Sequence, residues 1–585
     1  MNPATFYHRP ESEYAYVNDK GTVNLRLRVG RDQVQKVDLF FGDPYYYEKE
    51  TNSDKWVWGA SPKAMRQVLS TDDFDYFEVE VDVETKRLDY AFVLYGEDEE
   101  QNEEKLIYCD KGCFPFSEKL LHKTHTAFRL PFFHEIDRYK APKWVSNTVW
   151  YQIFPERFAN GERTNDPVGI KKWNSTKRPE PDDRFGGDLQ GVLDHMDYLS
   201  DLGINGIYFT PIFKAPSNHK YDTEDYFEID PDFGDKAIFK KVVDEAHKRG
   251  IRIMLDAVFN HMGADSPQWQ DVLKNQEKSK YADWFHVNDW PATFVETDNY
   301  PKSSYATFAY VPYMPKLNTA NPEVQEHLLS IAEYWIREFD IDAWRLDVAD
   351  EVDHQFWKLF RKRCDTIKKD FYIVGEVWQS AQTWLNGDEF SGVMNYSTTF
   401  AVLDGLAKKE ISLSKMVSEI NSQLMLYRRT TWPAMFNCLD SHDTPRTLFE
   451  CGEDKAVLKQ VEALTYMQAG APCIFYGDEQ GLTGGEEPDC RRPMAWQADE
   501  QDEDLYDFFK KLIHFRLENA ETLSQSDFTW EVDEEAGVVK LARANIRAVF
   551  NSGEGPIIYS QDNILISNLA NDKEILPKGF IIYKK

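Results

Sequence analysis

The sequence predicts an α/β protein built on a (β/α)8 TIM barrel, with an N-terminal β-sandwich, a small excursion domain after strand three and a C-terminal β domain. Short apolar strands alternate with amphipathic helices across residues 147–524, a pattern typical of parallel barrels. Residues 1–125 and 525–585 instead alternate apolar and polar positions, which indicates antiparallel strands. A chain of 585 residues is also too long for one ordinary core, which favours a large domain with smaller attachments.

The N-terminal region, residues 1–125, predicts a small antiparallel sandwich. Turn signals such as Gly42-Asp43-Pro44 separate its strand candidates. The candidates are Thr22–Val29, Val34–Phe41, Phe77–Val83 and Leu88–Tyr95. Pro131 and Pro142 then mark residues 126–146 as a linker to the next domain.

Eight strand candidates predict the barrel over residues 147–524. They are Thr148–Phe154, Gly206–Thr210, Arg252–Ala257, Ala343–Leu346, Tyr372–Gly375, Gly392–Asn395, Ala434–Cys438 and Cys473–Tyr476. Helical patterns such as Lys236–Lys248 and Pro322–Phe339 lie between most of them. The connection after strand three is too long for a simple crossover, and its aromatic, Asp-rich sequence predicts an excursion domain at about residues 262–317. Strand patterns return over residues 525–585, which predicts the C-terminal β domain.

Composition and charge narrow the choice of partners and compartment. Acidic residues number 100 and basic residues 68, and the resulting net charge of -32 repels nucleic acids and anionic membranes. The first ten residues show no signal region, and the sequence has no uninterrupted apolar run long enough to span a bilayer. Seven scattered cysteines are typical of reduced thiols. We therefore expect a soluble, cytoplasmic protein with no nucleic acid or membrane partner.

Polar side chains follow four of the predicted barrel strands. They are His261 after strand three, Asp347 after strand four, Glu376 after strand five and Asp443 after strand seven. The carboxyl ends of barrel strands meet at one rim, where such enzymes carry their active sites. A single Asp after a strand is more often a helix cap or a turn residue, but that alternative weakens when four segments converge. Because cleavage of a glycosidic bond needs paired carboxylates, this rim predicts a glycosidase.

The same segments resemble the four signature blocks of the alpha-amylase family. They read Asp256-Ala257-Val258-Phe259-Asn260-His261, Ala343-Trp344-Arg345-Leu346-Asp347, Val374-Gly375-Glu376-Val377-Trp378 and Asp440-Ser441-His442-Asp443-Thr444. The resemblance implies that Asp347 is the nucleophile, and that Arg345 keeps it ionised because a nearby positive charge lowers a carboxylate pKa. It implies that Glu376 is the acid/base, protonated in the first step, and that Asp443 stabilises the transition state. The family retains anomeric configuration, so the two reacting carboxyls should lie about 5 Å apart.

The resemblance also implies a set of sugar contacts. His261 and His442 would hydrogen-bond the ring at the cleavage point, and Tyr221 would stack beneath that sugar, unless it is an ordinary buried tyrosine. Trp378 would line the acceptor side. Asp256 and Asn260 match the first block and are expected to support the site rather than perform chemistry.

Three features point to the branch of neopullulanases, cyclomaltodextrinases and maltogenic amylases. These are the segment Met314-Pro315-Lys316-Leu317-Asn318, Trp378 two residues after Glu376, and the N-terminal sandwich. In relatives of this branch the sandwich mediates a dimer that narrows the cleft, so we expect a homodimer through the N-terminal domain. The segment Val348-Ala349-Asp350-Glu351 departs from the usual Val-Ala-Asn-Glu, which concerns acceptor specificity and not catalysis.

A structural calcium ion is a further implication of the resemblance. The matching positions are Asn160, Glu162, Asn165, Asp166, Gly186 and Asp188. Closely spaced oxygen ligands on loops suit calcium, although Glu162 stands where the branch usually has Asp. The alternative is an Asx-rich loop without metal, satisfied by its own backbone.

The function expected from these features is hydrolysis of α-1,4-glucosidic bonds with retention of configuration. Substrates would be cyclodextrins, maltooligosaccharides, pullulan and starch, cleaved through a covalent glycosyl-Asp347 intermediate that sugar can also capture, which is transglycosylation. One alternative is an exo-acting α-1,4/α-1,6-glucosidase, although such relatives usually lack the N-terminal sandwich. The other is a non-catalytic glucan-binding protein on an amylase barrel, although such proteins lose the catalytic carboxylates that this chain keeps.

Overall fold

Eight short parallel strands form the central sheet of the protein. A computed structural model describes residues 1–49, 54–98, 100–139, 141–295, 302–559 and 561–585. In chain order the barrel strands are Trp150–Ile153, Gly206–Phe209, Arg252–Ala257, Ala343–Leu346, Tyr372–Gly375, Gly392–Val393, Phe436–Cys438 and Ala471–Phe475. Strand one pairs with strands two and eight, and a bridge between Met394 and Phe436 joins strands six and seven. The sheet therefore closes, which confirms the predicted barrel.

Amphipathic helices cover the outside of the barrel. The larger ones are Leu189–Asp194, Met196–Leu202, Lys236–Lys248, Pro322–Phe339, His354–Ile367, Tyr396–Val402, Leu413–Leu426, Lys455–Tyr466 and Glu503–Glu518. Side-chain caps define several of their starts: Asp235 accepts a hydrogen bond from the Ile238 amide, and Asn321 caps the helix that opens with Pro322. Two helices, Lys236–Lys248 and Pro322–Phe339, have the bounds that the sequence pattern predicts.

The excursion after strand three returns to the barrel rim through short bridges. It contains the helix Pro267–Asn275 and the short strands Phe294–Val295 and Lys302–Ser303; residues 296–301 of the predicted excursion lie outside the described residues. Bridges from His261 to Lys316 and from Phe285 to Leu317 close the segment at its base. The excursion thus ends beside the strand-three residues that help to build the site.

The N-terminal domain is a sandwich of two antiparallel sheets. One sheet contains Ala15–Val17, Val23–Gly30, Arg66–Ser70 and Phe74–Val81; the other contains Val34–Gly42, Ser61–Ala64, Leu88–Glu97, Glu103–Cys109, Gly112–Pro115 and Phe128–Leu130. Their inward faces share an apolar core of residues such as Leu25, Leu39 and Phe92. The strand Phe128–Leu130 lies within residues 126–146, the stretch predicted as a linker. It pairs with residues Leu88–Tyr90 of the second sheet. Three residues are too few to show alternation in a sequence.

Arg26 connects this sandwich to the barrel. Its side chain is fully buried, and its Nε donates to Oε1 of Glu78 at 2.7 Å within the sandwich. Its Nη1 donates to the Met425 carbonyl, at 2.6 Å, at the end of the helix Leu413–Leu426. On the same interface, Asn421 donates to the Ser70 carbonyl at 2.8 Å. The sandwich therefore docks through buried polar contacts as well as apolar packing.

The C-terminal domain is an antiparallel sheet, as predicted. Its strands are Thr529–Asp533, Val538–Arg543, Ile546–Asn551, Ile557–Ile558, Ile564–Ala570 and Glu574–Lys584. Among the described residues, none of the helices combines the length and the apolar character needed to cross a lipid bilayer.

Candidate active site

One guanidinium joins the acids of three barrel strands. Arg345, on strand four, is almost fully buried, and its Nη1 donates to both carboxyl oxygens of Asp256 at 3.0 and 2.9 Å. The same nitrogen donates to Oδ1 of Asp347 at 2.9 Å, and Nη2 forms an ion pair with Oε2 of Glu376 at 2.8 Å. The structure therefore brings both predicted reacting carboxyls to one guanidinium.

Asp347 combines burial with one free oxygen. Its side chain is 8% exposed, and within the described residues its Oδ2 has no hydrogen-bond partner. Burial raises the pKa of Asp347 well above its ordinary value, the charge of Arg345 opposes this rise, and Glu376 and Asp256 add to it. The arginine alone would lower the pKa of Asp347, as the resemblance implies. Burial outweighs that effect, and the charges of Glu376 and Asp256, which share the same cation, raise the pKa further.

Asp256 extends this acid cluster below the rim. Burial raises the pKa of Asp256 to about 6, against the opposing charge of Arg345. Its Oδ2 accepts hydrogen bonds from the hydroxyls of Tyr208, at 2.7 Å, and Tyr221, at 2.9 Å. Asp256 therefore retains its proton to a higher pH than an isolated aspartate does.

Glu376 is held from two sides. Its Oε2 accepts from the Val348 amide at 3.0 Å, and its Oε1 accepts from the Trp378 indole at 3.2 Å. Trp378 stacks on Tyr396 with ring centroids 4.2 Å apart, and Phe400 continues the stack to the surface, where it is 38% exposed. The predicted acceptor-side tryptophan therefore begins an aromatic wall. Sequence reasoning missed Tyr396 and Phe400, whose helical spacing alone looks like ordinary packing.

Asp443 is the most exposed of the three predicted catalytic acids. Its side chain is 29% exposed, and its Oδ2 lies 3.1 Å from Nε2 of His442. Arg491 donates to Oδ1 at 3.3 Å and, through Nε, to the His442 carbonyl at 2.7 Å. Sequence reasoning missed Arg491, because it comes from the long segment after strand eight and no motif marks it.

Tyr221 and His442 lie in parallel beside the acids. Their ring centroids are 5.2 Å apart at 4°, and the Tyr221 hydroxyl lies 2.6 Å from Nε2 of His442. Burial and the charge of Arg491 lower the pKa of His442 well below its ordinary value. His442 is therefore neutral at physiological pH.

His261 lies behind Tyr221 rather than beside it. Its Nε2 is 3.1 Å from the Tyr221 carbonyl, and its Nδ1 is 3.3 Å from the amide of Asn260. Burial lowers the pKa of His261 to about 3, so the ring is neutral. Both nitrogens are engaged by the protein, which makes support of Tyr221 the role that this geometry shows; the sugar contact stays a prediction.

The segment Met314–Asn318 reaches the site through one lysine. Lys316 donates to Oδ1 of Asn260, in the first block, and forms an ion pair with Oε2 of Glu351 at 3.0 Å. Asp350 and Glu351 belong to the short turn that follows strand four. The lysine thus ties the end of the excursion to the loops of strands three and four.

The six predicted calcium positions divide into two groups. Asn160 donates to Asp166 Oδ1 at 2.5 Å, both side chains approach Gly186, and Oδ1 of Asn160 is buried without a partner among the described residues. Asp188 instead accepts from the amides of Gly161, Glu162 and Gly191, exposed Glu162 accepts from Thr164, and Asn165 lies beside Gly234.

The Asn160 amide nitrogen, and not its unpaired oxygen, faces Asp166 and Gly186, so a hard cation at these three residues requires the amide to be turned over. Over the described part of the chain, no group of three or more His, Cys, Asp or Glu side chains is arranged to hold a metal. A calcium ion here would therefore depend on amide and backbone oxygens as well as carboxylates.

Comparison with known proteins finds close similarity over nearly the whole chain. Residues 152–546 match the alpha amylase catalytic domain, and residues 1–134 match the alpha amylase N-terminal Ig-like domain. An intracellular maltogenic amylase of Bacillus subtilis (strain 168) is 48% identical over 532 residues, covering 91% of this chain and 87% of the relative. A cyclomaltodextrinase of Geobacillus thermopakistaniensis is 49% identical over 516 residues, covering 88% and 84%. A solved cyclomaltodextrinase structure superimposes with a TM-score of 0.89 at 40% identity and full coverage of both chains.

Proposed function

Because the chain belongs to the alpha-amylase family and is one of its glycosidases, we propose that it cleaves α-1,4 bonds in cyclodextrins, maltooligosaccharides, pullulan and starch. The single observation that carries this proposal is the pairing of Asp347 and Glu376 with the guanidinium of Arg345. Two carboxyls held by one cation suit a retaining mechanism, in which one attacks the sugar and the other transfers the proton.

The first step forms a covalent glycosyl ester. In the reactive state Asp347 is ionised and Glu376 carries the proton. The free Oδ2 of the Asp347 carboxylate attacks the anomeric carbon while the bond to the leaving sugar oxygen breaks, and Glu376 gives its proton to that oxygen. In the second step Glu376 takes a proton from water, the water oxygen attacks the anomeric carbon, and the ester bond to Asp347 breaks. Two inversions give net retention. A sugar hydroxyl can replace the water, and the product is then a transglycosylated glucan.

The other rim residues act on the sugar that is being cleaved. Asp443 is partly exposed at the opening and can accept hydrogen bonds from sugar hydroxyls that strengthen as the ring distorts. Tyr221 and His442 form one side of the cleavage point, and Trp378 begins the aromatic wall on the acceptor side. Binding and chemistry are therefore supplied by neighbouring loops of one rim.

Chromatography of the products distinguishes this function from the alternatives. Purified protein should convert β-cyclodextrin into linear maltooligosaccharides and maltose, and pullulan into panose, with the α-anomer formed first by NMR. A cyclodextrin has no chain end, so an exo-acting α-1,4/α-1,6-glucosidase would leave it intact. Cleavage of maltose and isomaltose with intact cyclodextrin would support that alternative, and binding of glucan without turnover would support the non-catalytic one.

We further propose that calcium binds at Asn160, Asp166 and Gly186 and stabilises the loop after strand one. A ligand that binds only the folded state raises stability by about 2.7 kcal/mol at one hundred times its Kd. EGTA is therefore expected to lower the Tm measured by calorimetry, and added calcium should restore it. In the Asp166→Asn variant, EGTA and added calcium should no longer change the Tm. An unchanged Tm with EGTA, together with no calcium by elemental analysis, would contradict the site.

A homodimer through the N-terminal domain is also proposed. Its support is the exposure of three aromatic side chains on or next to the paired strands Tyr47–Lys49 and Trp56–Trp58: Tyr45 is 69% exposed, Tyr46 56% and Trp56 64%. Exposed apolar groups of this size are typical of interaction surfaces. In a dimer they would narrow the cleft of the partner copy, which admits a compact ring more readily than a polymer.

The double variant Tyr45→Ser/Trp56→Ser tests the dimer. We expect it to be monomeric by light scattering and to have a higher ratio of starch to cyclodextrin activity, because the cleft is then open. Ile558→Ser, at a site that is 93% exposed on the C-terminal domain, serves as the control and should remain dimeric. If the unaltered protein is monomeric and still prefers cyclodextrin, the proposed link between dimer formation and substrate preference is contradicted.

A cytoplasmic location completes the proposal. All seven cysteines are free thiols in the structure, and six of them are buried, as expected for a reducing compartment. The name of the Bacillus subtilis relative describes that protein as intracellular.

A further inference from the structure

We propose that Gln152, on the first barrel strand, is a positioning residue that fixes the tautomer of His442. In this tautomer the hydrogen is on Nε2, where it faces Tyr221 and Asp443. The inference rests on the proposed function, because it concerns the alignment of groups that bind the sugar at the cleavage point. It adds a residue to the site that lies outside the signature blocks.

The contacts of Gln152 are short and fully enclosed. Its side chain is fully buried on the strand Trp150–Ile153, and its Nε2 lies 2.8 Å from Nδ1 of His442. Among the described residues its Oε1 finds no hydrogen-bond donor. A buried carbonyl without a partner costs stability, so the amide is not explained by its contribution to the fold alone. Among the described residues, the hydrogen bond that the Gln152 side chain makes is the one to His442.

The direction of the hydrogen bonds follows from counting hydrogens. The Tyr221 hydroxyl has one hydrogen and two close neighbours, Oδ2 of Asp256 at 2.9 Å and Nε2 of His442 at 2.6 Å. Asp256 already accepts from Arg345 at 2.9 Å, and above its pKa of about 6 it is ionised and can only accept. Tyr221 therefore donates to Asp256, and its oxygen must accept from a hydrogen on Nε2 of His442.

The second neighbour of Nε2 favours the same tautomer. Oδ2 of Asp443 lies 3.1 Å from Nε2, and a carboxylate this close to the nitrogen is attracted by an N–H and repelled by a bare lone pair. A neutral imidazole has one N–H, so Nδ1 is bare and must meet a donor. The amide nitrogen of Gln152 supplies it; with the amide reversed, its carbonyl oxygen would face a bare nitrogen.

The surroundings keep the imidazole neutral, so the tautomer matters. Burial is the largest cause that lowers the pKa of His442, and Arg491 and Arg345 add to it. The titratable and charged groups around the ring are Tyr221, Asp443, Arg491, Arg345 and His219. An imidazolium would carry hydrogens on both nitrogens, and Gln152 could not then donate. The neutral ring with a bare Nδ1 is the state that the amide recognises.

The consequence is a chain of donors from strand one to the acid cluster. Gln152 donates to His442, His442 donates to Tyr221 beside the carboxylate of Asp443, and Tyr221 donates to Asp256, which binds Arg345. Without the amide, the His442 hydrogen can move to Nδ1, and Tyr221 and Asp443 then face a lone pair. We expect this to reduce the turnover rate more than substrate binding, since Asp443 acts most strongly in the transition state.

Replacement of the donor is the first test. Gln152→Leu has a similar volume and no N–H, and it should lower kcat on β-cyclodextrin about tenfold, with a much smaller change in KM. In a His442→Gln background the same replacement should have little further effect, because no imidazole remains to be oriented. An unchanged kcat, or an equal loss in both backgrounds, would overturn the proposal.

The pH profile of Gln152→Glu separates positioning from packing. At low pH the Glu–imidazole pair shares one proton, and Nε2 keeps its hydrogen. As pH rises the pair loses this proton, the carboxylate takes the Nδ1–H tautomer, and Nε2 becomes bare. Activity should therefore fall on the alkaline side through an ionisation that neither the unaltered protein nor Gln152→Leu shows. An unshifted profile for Gln152→Glu would contradict the assignment.

The ring nitrogens can also be observed without an activity measurement. In protein labelled with 15N-histidine, the signals lost in His442→Gln identify His442, and their shifts should report a bare Nδ1 and a protonated Nε2. Nδ1–H in the unaltered protein would overturn the inference even if the protein hydrolyses cyclodextrin. Bare Nδ1 in a protein without any glucan hydrolysis would support the tautomer while contradicting the proposed function.

Discussion

Asp347→Asn, Glu376→Gln and Asp443→Asn are each expected to lower kcat on β-cyclodextrin by roughly a thousandfold or more. Each replacement keeps the shape of the side chain and removes the carboxyl chemistry: attack on the anomeric carbon, proton transfer, or stabilisation of the transition state. Initial rates at saturating β-cyclodextrin measure the loss of kcat. The Asp347→Asn protein should in addition form no covalent glycosyl adduct by mass spectrometry.

Loss of activity must be distinguished from loss of folding, and Asp347 makes this possible. Its pKa is raised above the unfolded value, so the folded state binds more protons and its stability falls as pH rises through the interval between those two pKa values. Asp347→Asn removes that cost, and its Tm at pH 7 should equal or exceed that of the unaltered protein.

A surface replacement is the matched control for the acids. Asp244 pairs with Lys240 on an exposed helix face, and both side chains are about half exposed at 48% and 45%. Asp244→Asn should keep both activity and Tm. Near-normal turnover by Asp347→Asn would contradict the assigned mechanism.

Arg26→Met is expected to lower the free energy of unfolding by about 3 kcal/mol. The replacement leaves the carboxylate of Glu78, 5% exposed, with only the longer 3.5 Å contact to Arg429. It also leaves the Met425 and Tyr427 carbonyls without the buried donor that they share. Denaturant titration followed by fluorescence measures the change. The loss should affect the docking of the sandwich as well as its own stability, because Arg26 bonds to both domains.

Arg66 offers a control, because it lies in the same sheet of the sandwich as Arg26. It pairs with Asp527 at 2.5 Å across domains, but its side chain is 61% exposed. Arg66→Met should therefore change stability by less than about 1 kcal/mol. The double variant Arg26→Met/Glu78→Leu should recover part of the loss, since it removes a buried carboxylate that has lost its 2.7 Å partner, while Arg429 keeps Asp527. Equal effects of Arg26→Met and Arg66→Met would show that burial of the pair is not decisive.

Much of the fold could be predicted because its signals are local. The strands Arg252–Ala257, Ala343–Leu346 and Tyr372–Gly375 have the bounds that the sequence pattern predicts. Strands buried on both faces read as short apolar runs between turn residues, and that signal does not depend on distant contacts. The strand Phe128–Leu130 was missed because its pairing with Leu88–Tyr90 defines it, and its own three residues do not.

The candidate site was predictable in composition but not in its electrostatics. Asp347, Glu376 and Asp443 follow strands in the order that the barrel requires, so their convergence could be inferred. The raised pKa of Asp347 could not, because it depends on burial and on how many acids share Arg345. The contacts that engage both ring nitrogens of His261 also depend on packing, and so does the separation of the six calcium positions into two groups.

The sequence by itself determined the barrel, its two β attachments, the family and the acids at the rim. These depend on periodicity, on strand ends and on short motifs, each contained within a few residues. The tertiary structure alone decided that Arg26 ties the sandwich to the barrel, that Arg491 reaches Asp443, and that Gln152 meets His442. The last two residues are 290 positions apart, and in a closed barrel strand one lies next to strand eight and near strand seven. Such contacts arise from closure of the sheet, and no local pattern in the chain encodes them.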